Sequence, residues 1–84
     1  MSRYEEALPD GRTVVFGWDP PLLTYFGQVI DPTRDEDDQI VHWVGCSPEE
    51  LYEIENLAAA MPAECRAAIG GYETILYMDK DSGS

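Results

Sequence analysis

The tetrapeptide Pro9-Asp10-Gly11-Arg12 constrains this chain more than any other feature. Proline presets φ and glycine accepts the left-handed region, so the four residues specify a tight turn. Residues 2–8 alternate before it. After it, Thr13 to Trp18 place Val14, Phe16 and Trp18 on one face at period 2. A turn between two alternating runs predicts a β-hairpin.

Asp19-Pro20-Pro21 interrupts the chain again, since neither proline can donate a ladder hydrogen bond. A third strand is predicted over Leu23 to Ile30, which is rich in β-branched and aromatic residues. Asp31 to Asp38 reads as an acidic loop and Gln39 to Val44 as a fourth strand. Consecutive strands with short connections predict an antiparallel meander.

At Ser47-Pro48-Glu49-Glu50 the pattern changes. Ser at N-cap, Pro at N1 and Glu at N3 have the form of a capping box. Leu51, Ile54, Leu57, Ala58 and Met61 follow at helical spacing, with Glu49, Tyr52, Glu53 and Asn56 on the opposite face. Pro62 ends that helix and starts a short second one, with Ala68 and Ile69 inward and Gly70-Gly71 as its stop. Tyr72 to Met78 is read as a returning strand, and residues 79–84 as a frayed acidic tail. The expected fold is therefore α+β in the order ββββ-α-α-β. One domain over residues 1–78 has an antiparallel sheet of four or five strands, covered on one face by one or two short helices.

Charge is the unusual quantity. Seventeen acidic residues face five basic ones in a chain of 84, a net charge of −12. A folded chain of this mass exposes roughly 5,000 Å², and solubility asks for a net charge of only about 2–8. The excess disfavours direct contact with nucleic acid or an anionic membrane and steers the protein toward basic partners. Asp35-Glu36-Asp37-Asp38 is an uninterrupted run. If extended it would rise about 3.3 Å per residue, close to the ~3.4 Å spacing of phosphates along a DNA strand. A second set, Glu49, Glu50, Glu53 and Glu55, lacks Lys or Arg at i,i+4 on the predicted helix. Tyr52 on the same face supplies an aromatic anchor. The expected partner-binding residues are Asp35, Glu36, Asp37, Asp38, Glu49, Tyr52, Glu53 and Glu55.

Catalytic signals are weak. His42, the single histidine, and Cys46 are the only nucleophile–base pair worth weighing, and a strand separation of four residues exceeds hydrogen-bond reach. Phosphate loops, GxGxxG and HExxH are lacking. His42, Cys46 and Cys65 do not have zinc-site spacing, and the Asp31 loop holds Glu36 and His42 where a calcium loop needs Gly and Glu. No cofactor or metal is expected. With no secretory signal or bilayer-length apolar run, both thiols are expected to be free and the location cytoplasmic.

Small size, −12 net charge, the Asp35–Asp38 run and the lack of a catalytic motif together resemble the small acidic inhibitors of phages and mobile elements. Anti-CRISPR proteins and other nucleic-acid mimics belong to this class. The resemblance is one of class, in charge and size, and it transfers no residue role. It implies a protein that occupies the basic, nucleic-acid-binding surface of a partner. The alternatives are an acidic adaptor or regulatory subunit that binds a basic protein without mimicry, and a thiol- or metal-dependent enzyme using Cys46 and His42.

Overall fold

Four strands pair in sequence order, β1 (Tyr4–Ala7), β2 (Thr13–Asp19), β3 (Thr24–Ile30) and β4 (Ile40–Val44), every pair antiparallel. The structure, a computed structural model, describes residues 2–82. The predicted hairpin forms with Tyr4 opposite Phe16 and Ala7 opposite Thr13. Leu8 and Arg12 close its turn by a backbone bond of 2.7 Å, and Gly11 there has φ +93°. The meander continues with Phe16 opposite Gly27 and Gln28 opposite Trp43.

Period-2 alternation divides the sheet into two unlike faces. Val14, Phe16, Trp18, Tyr25 and Val29 point toward the helices and are buried with Leu57, Ile69 and Leu76 in one core. Gly27 lets α1 (Ile54–Ala60) approach. A Cβ there would lie 2.6 Å from the Met61 sulfur and 3.2 Å from Leu57 Cδ1, so a larger residue must push the ends of these two side chains aside. Val15 and Phe26 lie on the other face.

The helical part departs from expectation in two places. First, the helix expected from Pro48 begins at Ile54. Glu50 does accept the Ser47 N–H at 3.2 Å, as a capping box requires. The following backbone groups, however, are taken by residues 22–25. Glu49 N–H donates to Leu22 O, Leu51 N–H to the Thr24 hydroxyl, and Leu51 O accepts from Tyr25 N–H. Glu49 consequently adopts φ +55°, which no helix tolerates. The working cap is Glu53, which forms a capping box with Asn56.

Second, the returning strand over Tyr72–Met78 is a helix, and the sheet stops at four strands among the described residues. After a 3-10 turn at Ala63–Cys65 and the short α2 (Arg66–Gly70), α3 runs over Glu73–Ser82. Helical spacing sends Tyr72, at the start of α3, with Leu76 and Lys80 to one side. Leu76 is fully buried, and the Tyr25 hydroxyl donates to its carbonyl at 3.1 Å. The helix places Asp79 under the Tyr4 hydroxyl and Lys80 against Tyr52. The order is thus four strands followed by three α-helices, an α+β fold with the helices on one face.

Candidate functional site

The Asp35–Asp38 run stands at the tip of the β3–β4 connection and is exposed. Asp31 organises its approach. One carboxylate oxygen accepts from the Thr33 N–H at 3.0 Å and the Thr33 hydroxyl at 2.6 Å, and that hydroxyl bond is the main reason its pKa lies below the usual range. Glu36–Asp38 then form a 3-10 turn, closed by Asp38 N–H on Asp35 O at 2.8 Å. This overturns the extended spacing expected of the run. The rise falls to about 2.0 Å per residue, so the carboxylates fan out around a knob instead of lining up like phosphates. Asp35, Glu36, Asp37 and Asp38 make no side-chain hydrogen bond or ion pair among the described residues. Two neighbouring acids at this end of the sheet are already spent, because Arg12 bonds both Asp10 and Glu64 at 2.7 Å.

The second expected group is divided among different tasks. Glu50 closes the β4 exit loop, accepting from the N–H groups of Gly45 and Ser47. Glu53 caps α1 and lies 3.5 Å from Lys80. The Tyr52 ring is covered on one side by Lys80, 3.7 Å from its centroid, and meets Trp18 edge-on. Glu49 and Glu55 alone in this group carry exposed carboxylates without a hydrogen bond or ion pair among the described residues. The two acidic groups do not meet. They lie beyond opposite ends of β4, whose five residues span about 17 Å.

His42 and Cys46 do not form a pair. His42 turns to the helix side, where its Nε2–H donates to Ala60 O at 2.8 Å, which fixes the proton on that nitrogen and ties β4 to the end of α1. Cys46 is exposed and lines a cavity on the opposite face of the sheet. Cys65 is buried, which pushes its thiol pKa up, and both thiols are free. Among the described residues, no three His, Cys, Asp or Glu side chains converge to hold a metal, and no helix is long and apolar enough to cross a membrane.

Sequence reasoning missed that cavity. It has a volume of about 360 Å³ on the open sheet face, with Phe26, Gln28 and Trp43 as its floor and wall and Arg3 and Asp19 toward its far side. The backbone beside it is conformationally unusual. Leu23 and Glu49, both non-glycine, have φ values of +52° and +55° and lie in the two segments that bond to each other beside it. Trp43, 57% exposed, belongs to the edge strand and walls the cavity at once. The signal available beforehand was an alternating strand with Val41 and Trp43 on the same side, which leaves a large apolar side chain outside the core. Comparison with known protein families, curated proteins and solved structures finds no match to this chain.

Proposed function

We propose that the protein is a binding protein whose acidic end occupies the basic, nucleic-acid-binding surface of a partner, in the manner of the small acidic inhibitors of mobile elements. The observation that carries this reading is the Asp35–Asp38 knob, four neighbouring exposed carboxylates that make no ion pair among the described residues, even with Arg34 just before them. Several other acids are matched to internal donors, Glu6 to Tyr72, Asp79 to Tyr4, and Asp10 and Glu64 to Arg12, and those left unmatched among the described residues, Glu49 and Glu55 included, do not form an uninterrupted run. Leaving four together unmatched costs self-repulsion, which an arginine-rich surface would relieve through charge-assisted hydrogen bonds. The mimicry is one of charge density, since the 3-10 turn removes the phosphate-like repeat distance.

The test is to replace Asp35, Glu36, Asp37 and Asp38 by Asn and Gln and follow association with the partner over a salt series. Exposed charges steer encounter, so the variant should associate at least about tenfold more slowly at low salt, and the difference should vanish at high salt. Unchanged association at every salt concentration would remove the knob from the interface.

A second reading, an acidic adaptor that holds a basic protein without displacing nucleic acid, is favoured by a different observation. Ile40, Val41 and Trp43 expose apolar surface along β4, which a mimic of phosphates does not need.

A further inference from the structure

The two edges of the sheet are treated in opposite ways. β1 is short and carries Glu5 and Glu6, a charged edge of the kind that discourages pairing with another chain. β4 reads Ile-Val-His-Trp-Val, with no proline and no Asp, Glu, Lys or Arg, and its histidine is turned to the core side. Among the described residues, the backbone groups of β4 bond only to β3, so the outer row is open. A register irregularity opposite Val29 and Ile30 bends the Ile40 end and leaves His42–Val44 as the regular stretch. Exposed apolar surface continues from this edge over Trp43 into the cavity floored by Phe26 and Gln28.

We propose that the outer edge of β4 takes up an extended strand of a partner protein, apolar at alternate positions and carrying Lys or Arg at both ends. Main-chain hydrogen bonds supply affinity in such β-augmentation, and the alternate side chains supply selectivity. The charge of the strand's ends follows from the flanks of β4. Asp35–Asp38 stand just before it, and Glu49 follows Val44 in the loop beyond its other end. A strand alongside β4 is about as long as β4 itself and so brings its two ends beside these acids. A second copy of this chain is the wrong occupant. Antiparallel pairing would set one copy's Asp35–Asp38 toward the other's Glu49, parallel pairing would set like against like, and each copy brings a charge of −12.

This proposal rests on the acidic-surface reading only for the charge of the strand's ends. The probe is a synthetic peptide of alternating Val and Thr with two Lys at each end. Comparators are the same peptide N-methylated at alternate amides, and one with Glu replacing Lys. The Lys-ended peptide should bind and slow hydrogen exchange at β4 amides that do not pair with β3. N-methylation, Glu ends or Trp43→Ala should each weaken binding at least about tenfold, and an unchanged far-ultraviolet spectrum will show that Trp43→Ala folds. Equal binding of the N-methylated peptide, exchange protection away from β4, or concentration-dependent self-association through β4 would overturn the proposal. The two readings fail differently. Equal binding of the N-methylated peptide leaves the acids' contribution standing, whereas unchanged association of the Asn/Gln knob variant with the partner leaves β4 protection standing.

Discussion

Lys80 lies 3.7 Å from the centroid of the Tyr52 ring and donates a 2.7 Å hydrogen bond to the carbonyl of the same residue. The contact joins the last helix to the segment entering α1, and Glu53 completes it at 3.5 Å. With a side chain only 14% exposed, this lysine is largely withdrawn from solvent, unlike Arg3 in its surface pair with Glu5. Tyr52, read from sequence as a partner anchor, is thereby half committed to the fold.

Replacing Lys80 by Met keeps the apolar stem and removes the charge. A partly desolvated cation–π contact and a charge-assisted hydrogen bond are together worth about 1–2 kcal/mol. The expected fall in Tm is about 4–8 °C per kcal/mol for a domain of this size. Lys80→Ala should cost more, because the stem is lost too. Thermal melts of both variants check this, and a Lys80→Met protein as stable as the parent would show that the contact is ornamental.

Glu49 offers a test in which the sign decides. In the left-handed region a non-glycine residue costs roughly 1–2 kcal/mol, and its carboxylate has no hydrogen-bond or ion-pair partner among the described residues. Glu49→Gly should leave stability unchanged or raise it by up to about 1 kcal/mol, after the larger entropy of the unfolded chain is allowed for. Were residues 48–53 helical, the same change would cost about 1 kcal/mol. Urea unfolding distinguishes the two outcomes.

The same position shows where the sequence stopped being legible. The meander could be read because turn chemistry and period-2 alternation are local and agree with each other. The late start of α1 could not, because it depends on Thr24 and Tyr25 taking the backbone groups of Leu51 across 26–27 positions of chain. α3 was misread because Ile75, Leu76, Tyr77 and Met78 form a strand-sized apolar run, although only Leu76 is buried. The spacing of Tyr72, Leu76 and Lys80 carried the helix, but it mixes aromatic, apolar and cationic residues. For the candidate site, the charge excess was plain, while its division was not. Which carboxylates are spent internally depends on contacts such as Tyr72–Glu6 and Arg12–Glu64, separated by 66 and 52 positions.

Stability should fall away on both sides of neutrality, more steeply on the alkaline side. Asp10, Asp31 and Glu64 are held below the ordinary carboxylate range, by the Arg12 backbone N–H, the Thr33 hydroxyl and the Arg12 guanidinium respectively. Their contribution is present above the unfolded pKa of about 4 and is lost as pH falls through the lower folded values. Protonating the other acids relieves self-repulsion over the same range, which makes this limb shallow. Tyr4 and Tyr72 are raised chiefly by donating to Asp79 and Glu6, Tyr25 by burial, and Tyr77 by the charge of Glu55. Their contribution is present below the unfolded value of about 10 and is lost as pH rises beyond it. Melting temperature against pH should therefore drop above about pH 10, and Tyr72→Phe should soften that drop. A profile that stays level through pH 11 would contradict the assignment.

The most direct measurement of the central claim is a competition. The captured partner, held on immobilised protein, is challenged with the nucleic acid that it normally binds, and release is followed as the nucleic acid is titrated. An acidic surface that occupies the nucleic-acid site predicts that release tracks occupancy of the partner by nucleic acid, and that no complex contains all three components. A stable ternary complex, in which the partner holds this protein and its nucleic acid with undiminished affinity for each, would contradict it.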